Sequence, residues 1–155
     1  MRYLLLDRIT ELSPPATATA VKCVSLSDDI FVDHFPGYPV LPGALIVEAL
    51  AQLGGVLIEA TLRERGRSDL VAMLTMIDRA KFRHTVRSGD RMLLSVRGIT
   101  ASEDGGQVQG RALVEDKLAA EAELTFALVK VTNPELLARR RERLEIWRAG
   151  TLEEQ

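Results

Sequence analysis

The longest apolar stretch runs from Ala44 to Ala60, and only Glu48, Gln52 and Glu59 interrupt it. It contains no proline, and its apolar positions fall on nearly every face of a helix. Such a helix has to be surrounded by other elements. Pro42 suits its first turn, where a missing N–H costs nothing, and Gly66 is a natural stop after Arg65. A membrane span wants about 20 apolar residues and tolerates a central carboxylate poorly, so burial inside a protein is the expectation.

The flanking patterns are strand-like. Tyr3–Ile9 and Thr17–Leu26 read as strands separated by Pro14-Pro15, and Ser27-Asp28-Asp29 opens a short helical turn ending near His34. Beyond the helix, residues 70–83, 91–100, 107–115 and 118–131 read as four strands, the last two joined by a tight hairpin at Glu115-Asp-Lys117. Arg79, Lys81 and Arg83 stand at period two, on one strand face. From Pro134 the pattern changes: Leu136, Leu137, Leu144, Ile146 and Trp147 among Arg139, Arg140, Arg141 and Arg143 predict an amphipathic terminal helix. Leu144 and Trp147 mark the side that docks on the body or on a neighbouring chain. The prediction is an α+β domain over residues 1–132, a mostly antiparallel sheet wrapped round one long helix, with a helical tail over 133–155.

Composition narrows the classes. A chain of 155 residues, 46% of them hydrophobic, is one domain with a sizeable core. Twenty basic residues against 22 acidic ones disfavour a nucleic-acid binder. The single cysteine, Cys23, excludes an intrachain disulfide and multi-cysteine zinc sites, and it is expected to be a small buried apolar residue. The apolar run in Met1–Asp7 is too short for a signal peptide, so a cytoplasmic home is expected.

Two residues stand out chemically. His34 sits in His34-Phe-Pro-Gly-Tyr-Pro-Val-Leu-Pro-Gly43, where three prolines forbid regular structure. Glu48 lies in the apolar helix, and Gln52, four residues on, shares its face and can orient it. A carboxyl in apolar surroundings holds its proton to higher pH, and a neutral histidine supplies a base, the pair an elimination needs. Gly43, at the helix start, offers a free N–H for a thioester oxygen being enolised. Taken singly, each feature has an ordinary structural reading: a loop histidine, a paired carboxylate, a rigid turn.

Together, His34–Gly43 followed by Ala44-Leu-Ile-Val-Glu48-Ala-Leu-Ala-Gln52 strongly resembles the signature of bacterial 3-hydroxyacyl-acyl-carrier-protein dehydratases, hot-dog-fold enzymes of fatty acid synthesis. The resemblance extends to Leu5–Arg8, Arg79–Arg83, Val86, Gly89-Asp90 and Ala119–Leu124, and spans roughly residues 3–131. It implies that His34 abstracts the C2 proton, that Glu48 helps the C3 hydroxyl leave as water, and that the Gly43 amide binds the thioester carbonyl. Gln52, Pro42 and Phe35 are the supporting residues. Glutamate at position 48, where the isomerising relatives have aspartate, favours the plain dehydratase branch. The family implies a homodimer whose sites combine His34 of one chain with Glu48 of the other, with trimers of dimers also occurring, and needs neither metal nor dissociable cofactor.

The chain departs from the family in four places, one of them the conservative Leu41 where methionine is commoner. Only Arg2-Tyr3 stands where relatives carry a longer leading segment, Asp33 replaces a glycine before His34 and is expected to face solvent, and the tail is long. Acyl carrier proteins are acidic, so Arg79, Lys81, Arg83 and Arg87 are candidate docking residues; His84 is read as a surface residue. Ala44, Ala51, Gly54 and Gly55 leave room for an acyl chain or permit close helix packing at a dimer centre, the latter favoured for the two glycines. The competing functions are thioester hydrolysis and a non-catalytic subunit that binds acyl carrier protein.

Overall fold

A computed structural model describes residues 2–149. The apolar stretch forms α1 (Gly43–Glu64), whose first hydrogen bonds run from the Leu45 and Ile46 N–H groups to the Pro42 carbonyl, at 2.9 and 3.3 Å. It stops as the sequence predicts. Gly66 takes φ +83°, Gly66 N–H reaches the Arg63 carbonyl and Arg67 N–H the Leu62 carbonyl, so the last carbonyls are satisfied.

Six strands wrap this helix: β1 (Arg8–Ser13), β2 (Thr17–Cys23), β3 (Leu70–Phe82), β4 (Arg91–Ala101), β5 (Gly105–Val114) and β6 (Lys117–Lys130). They form one antiparallel sheet in the order β1-β2-β4-β5-β6-β3. The β5–β6 hairpin turns on Glu115 and Asp116, both at positive φ (48° and 65°), the geometry that matches strand twist in a two-residue loop. Leu50, Leu53, Leu57, Ile58 and Leu62 of α1 are at most 1% exposed, packed with Leu94, Val96, Val108, Leu124 and Phe126 of the sheet. At about 2 kcal/mol for each such side chain, against about 1 for a net hydrogen bond, this contact dominates the fold. By length and composition α1 is a candidate membrane span, but 67% of its most apolar window is buried inside the protein. It is the core helix.

Several expectations need correction. The first strand begins at Arg8 rather than Tyr3, because Tyr3–Leu6 leaves the sheet, with the Leu5 N–H taken by the Gln52 side chain at 3.0 Å, and only Asp7 N–H still reaches β2 at Val21. The second strand ends at Cys23 rather than Leu26, where Ser25–Asp28 turns away; Leu26 is exposed. Cys23 is exposed too, because the period that buries Ala18 and Ala20 leaves it on the outer face with Thr17 and Thr19. Arg79, Lys81 and Arg83 do not keep period two, since the β3–β6 register slips between Asp78 and Lys81 and Arg79 takes φ 51°.

The tail forms α2 (Pro134–Arg148), capped by the Asn133 side chain, which accepts from Glu135 and Leu136 N–H at 3.0 and 3.3 Å. Its inward stripe is Leu137, Arg140, Leu144 and Trp147; Leu136 and Ile146 face outward. Trp147 is buried against the body. Gly54 does not wait for a second helix: a Cβ there would lie 2.8 Å from Val108 Cγ2, so it is the sheet that needs the glycine.

Gly98 of β4 sets the tightest approach in the sheet, since a Cβ there would stand 2.2 Å from the Pro15 carbonyl oxygen. Gly98→Ala is expected to lose about 1–3 kcal/mol of stability, because a backbone atom rather than a flexible side chain must move. Chemical denaturation at constant m-value measures this; an unchanged midpoint would show that the β1–β2 turn relaxes freely.

Candidate active site

The loop from His34 to Pro42 closes on itself. Phe35 and Tyr38 exchange backbone hydrogen bonds at 3.0 and 2.8 Å, Val40 N–H reaches the His34 carbonyl at 3.1 Å, and Leu41 N–H reaches Val86 at 2.8 Å. The His34–Phe35 peptide is cis, and the two rings stack with centroids 4.0 Å apart. His34 Nδ1 lies 2.7 Å from the Val40 carbonyl oxygen. A carbonyl only accepts, so Nδ1 carries the proton and Nε2 of the neutral ring holds the free lone pair. The loop thus fixes the tautomer, and His34 is only half-buried. Asp33 is exposed.

Pro42 precedes α1 without a side-chain cap, and the N–H groups of Gly43 and Ala44 come before the first intrahelical bond. The Phe82 ring lies over Gly43, where an added Cβ would be 2.6 Å from its Cε1. Only glycine lets the end of β3 approach the helix start this closely.

Glu48 stands one turn further on. Gln52 Nε2 donates to its Oε1 at 3.1 Å and to the Tyr3 carbonyl at 3.3 Å, while Gln52 Oε1 accepts from Leu5 N–H. Gln52 therefore holds the carboxylate and pins the leading segment over α1. Partial burial, then the charge of Glu48 and a hydrogen bond to it, raise the Tyr3 hydroxyl above its ordinary pKa. Glu48 opens on a cavity of about 240 Å³ that runs along α1 beneath α2. His34 does not line it, and among the described residues no hydrogen bond or ion pair joins His34 to Glu48 within one chain.

Sequence reasoning missed Glu59 as a site residue. Its carboxylate accepts from Ala72 N–H at 2.9 Å and from Arg140 of α2, tying α1, β3 and α2 together. The available signal was its place on the same helical stripe as Glu48 and Gln52. Arg140 carries no such signal, since it stands in the tail among Arg139, Arg141 and Arg143.

Arg79, Lys81, Arg83 and Arg87 are all exposed. Arg79 pairs with Glu123 at 3.2 Å and Arg83 with Glu121 at 2.8 Å; Arg83 holds the Glu121 carboxyl below the usual range. The Arg87 guanidinium lies over the Tyr38 ring, 4.8 Å from its centroid, and bonds its hydroxyl, while its backbone bridges to Val40. Arg87 is thereby joined to the His34 loop. Among the described residues no group of three His, Cys, Asp or Glu side chains is placed to hold a metal ion.

Comparison with known proteins places this architecture. A solved dehydratase heterocomplex from Xenorhabdus doucetiae superposes with TM-score 0.68 at 19% identity, over 89% of this chain and 90% of the other. A hot-dog-like protein from Thermanaerovibrio acidaminovorans gives 0.62 at 17% identity, over 83% and 91%. The fold is that of the hot-dog proteins. The FabA-like domain matches residues 1–123. A 3-hydroxyacyl-[acyl-carrier-protein] dehydratase FabZ from Campylobacter curvus is 40% identical over 82% of this chain and 88% of its own length. Those from Symbiobacterium thermophilum and Geobacillus sp. are 42% and 44% identical, over 86% and 81% of this chain and 92% and 85% of their own lengths. The chain belongs to the FabA-like family and, within it, to the FabZ-type dehydratases.

Glu48→Gln removes the charge beside Tyr3 while keeping the shape of the side chain. The Tyr3 phenol is then expected to titrate at lower pH than in the parent, read by ultraviolet titration in a Tyr38→Phe background. Identical curves would mean that the Glu48 charge does not reach Tyr3.

Proposed function

We propose that the chain removes water from a 3-hydroxyacyl chain carried on acyl carrier protein, giving the trans-2-enoyl thioester. The observation that carries this reading is the contrast between the two candidate groups. The Val40 carbonyl fixes His34 with Nε2 as a free base, and Gln52 holds Glu48 on an otherwise apolar helix. His34 Nε2 takes the C2 proton, and the Gly43 N–H stabilises the oxygen of the developing enolate. The C3–oxygen bond breaks, and the hydroxyl leaves as water with a proton from Glu48. Pro42 and Phe35 support the loop, and Gln52 is a positioning residue.

The two side chains meet between two copies of the chain. β3 is a sheet edge, and it exposes Met73, Met76, Ile77 and Phe82, an apolar surface suited to pairing with a second β3. The partner substrate, an acidic carrier protein, docks over Arg79, Lys81, Arg83 and Arg87, of which Arg87 is joined to the His34 loop through Tyr38 and Val40. A cytoplasmic setting, the division at residues 132/133 and assembly of dimers into trimers complete the reading.

The test is to supply 3-hydroxyacyl thioesters on carrier protein and follow the conjugated enoyl product. His34→Ala and Glu48→Gln are each expected to lose at least about a hundredfold in kcat. Free thiol without enoyl product would make the protein a thioesterase; carrier-protein binding without any product would make it a binding subunit. Mixing the two inactive variants is expected to restore partial activity, since hybrid dimers hold one intact pair. No recovery after exchange of subunits is demonstrated would sink the shared site. Gln52→Ala is expected to cost about tenfold to a hundredfold in kcat with a smaller change in KM, because it misplaces the acid rather than removing it.

A further inference from the structure

The cavity that begins at Glu48 is closed by α2, which lies outside the residues matched by the FabA-like domain. Its floor follows a single stripe of α1: Glu48, Ala51, Gly55 and Glu59. Ala72, Leu74 and Phe126 form a side wall, and Leu144 and Trp147 of α2 contribute to the lining. The lining mixes these apolar side chains with polar ones, Gln52, Arg63 and Arg143 among them. One end is the Glu48 carboxylate; the other is Glu59 paired with Arg140. At about 1.5 Å per residue the two carboxylates stand roughly 16 Å apart along the helix.

The far end is built rather than incidental. The Glu59 side chain is only 12% exposed, and it already accepts from the Ala72 N–H, so the Arg140 pair is held from two sides. Arg140 Nε is buried without a hydrogen-bond partner. An alkyl terminus reaching this point would have to displace a partly buried ion pair, which costs far more than each added methylene contributes.

Building on the dehydratase reading, we propose that α2 is the acyl-chain ruler of this enzyme: the substrate's alkyl tail lies along α1 under Leu144 and Trp147, and the Glu59–Arg140 pair stops it. Gly55 and Arg140 then control opposite quantities. A Cβ at Gly55 meets only Ala72 Cβ and Phe126 Cε1, both at 3.8 Å, so Gly55→Ala fits the fold and narrows the channel. Arg140→Ala removes the half of the stop that α2 supplies and leaves Glu59 on the Ala72 N–H.

The test compares the parent, Gly55→Ala, Arg140→Ala and Trp147→Ala over 3-hydroxyacyl chains of increasing length. It reads kcat and KM on carrier protein, and dissociation constants for unreactive 3-hydroxyacyl-pantetheine amides. Gly55→Ala is expected to lower the long-to-short ratio of affinities about tenfold, and Arg140→Ala to raise it by a similar factor, with short-chain kcat little changed in both. Trp147→Ala is expected to weaken binding of medium chains more than of the shortest. Chain-length profiles that stay parallel to the parent in all three folded variants would overturn the ruler and leave the dehydratase reading standing. Length-dependent binding that shifts as stated, without enoyl formation by the parent, would do the reverse.

Discussion

Everything in this molecule follows from a helix that cannot be left in water. From Ala44 to Ile58, α1 is apolar on nearly every side, and the burial of its leucines and isoleucines outweighs any single polar contact. The six-stranded sheet curls because one helix has to be covered on more than one face. Glycines set how closely it can do so. Gly54 admits Val108 and Phe126 against the helix, and Gly110 and Gly106 accept Leu50 and Ile58 from it. The sheet does not cover every face of α1, and the uncovered stripe borders the cavity that opens at Glu48.

That stripe carries the polar exceptions Glu48, Gln52 and Glu59, and each is answered differently. Gln52 is saturated by two carbonyl or carboxylate acceptors and one amide donor. Glu59 is tied to a backbone N–H and a guanidinium. Glu48 receives the Gln52 amide and the neighbouring Tyr3 hydroxyl, but no cation is paired with it among the described residues. A carboxylate left without a counter-charge is poor for stability. Glu59 therefore ties three elements of the fold together, whereas Glu48 is held by the Gln52 side chain beside Tyr3 and faces the cavity, as the proposed acid has to.

Local signals were legible in the sequence wherever local chemistry decides the structure. Gly66 ends α1, the Glu115-Asp116 turn makes a hairpin, and Pro42 precedes the helix, because each depends on backbone rules within a few residues. Glu48 and Gln52 were legible as neighbours through helical spacing. What escaped depends on distant partners. Tyr3–Leu6 looks like a strand until Gln52 takes the Tyr3 carbonyl and the Leu5 N–H, and the even spacing of Arg79, Lys81 and Arg83 hides a register slip against β6. Arg140 looks like any tail arginine until α2 lies across Glu59. Leu144 and Trp147 were legible as the docking side of the tail, and Leu136 and Ile146 face outward.

The base and the acid sit on separate platforms, and this has an energetic consequence for the proposed site. His34 belongs to a loop locked by its own backbone, Glu48 to the core helix, and neither can swing to the other without breaking the contacts that define it. Completion from a second copy is then the lower-cost route. The β3 edge leaves Met73, Met76, Ile77 and Phe82 about half exposed. Covering the rest of each side chain contributes about 1 kcal/mol, so two copies of the edge supply about 8 kcal/mol. That lies within the roughly 4–15 kcal/mol lost when two bodies associate, and added backbone pairing along β3 tips the balance. The same strand ends at Phe82, packed on Gly43. Pairing of the β3 edges would therefore steady the Gly43 N–H proposed to receive the thioester oxygen, coupling association to the readiness of the site.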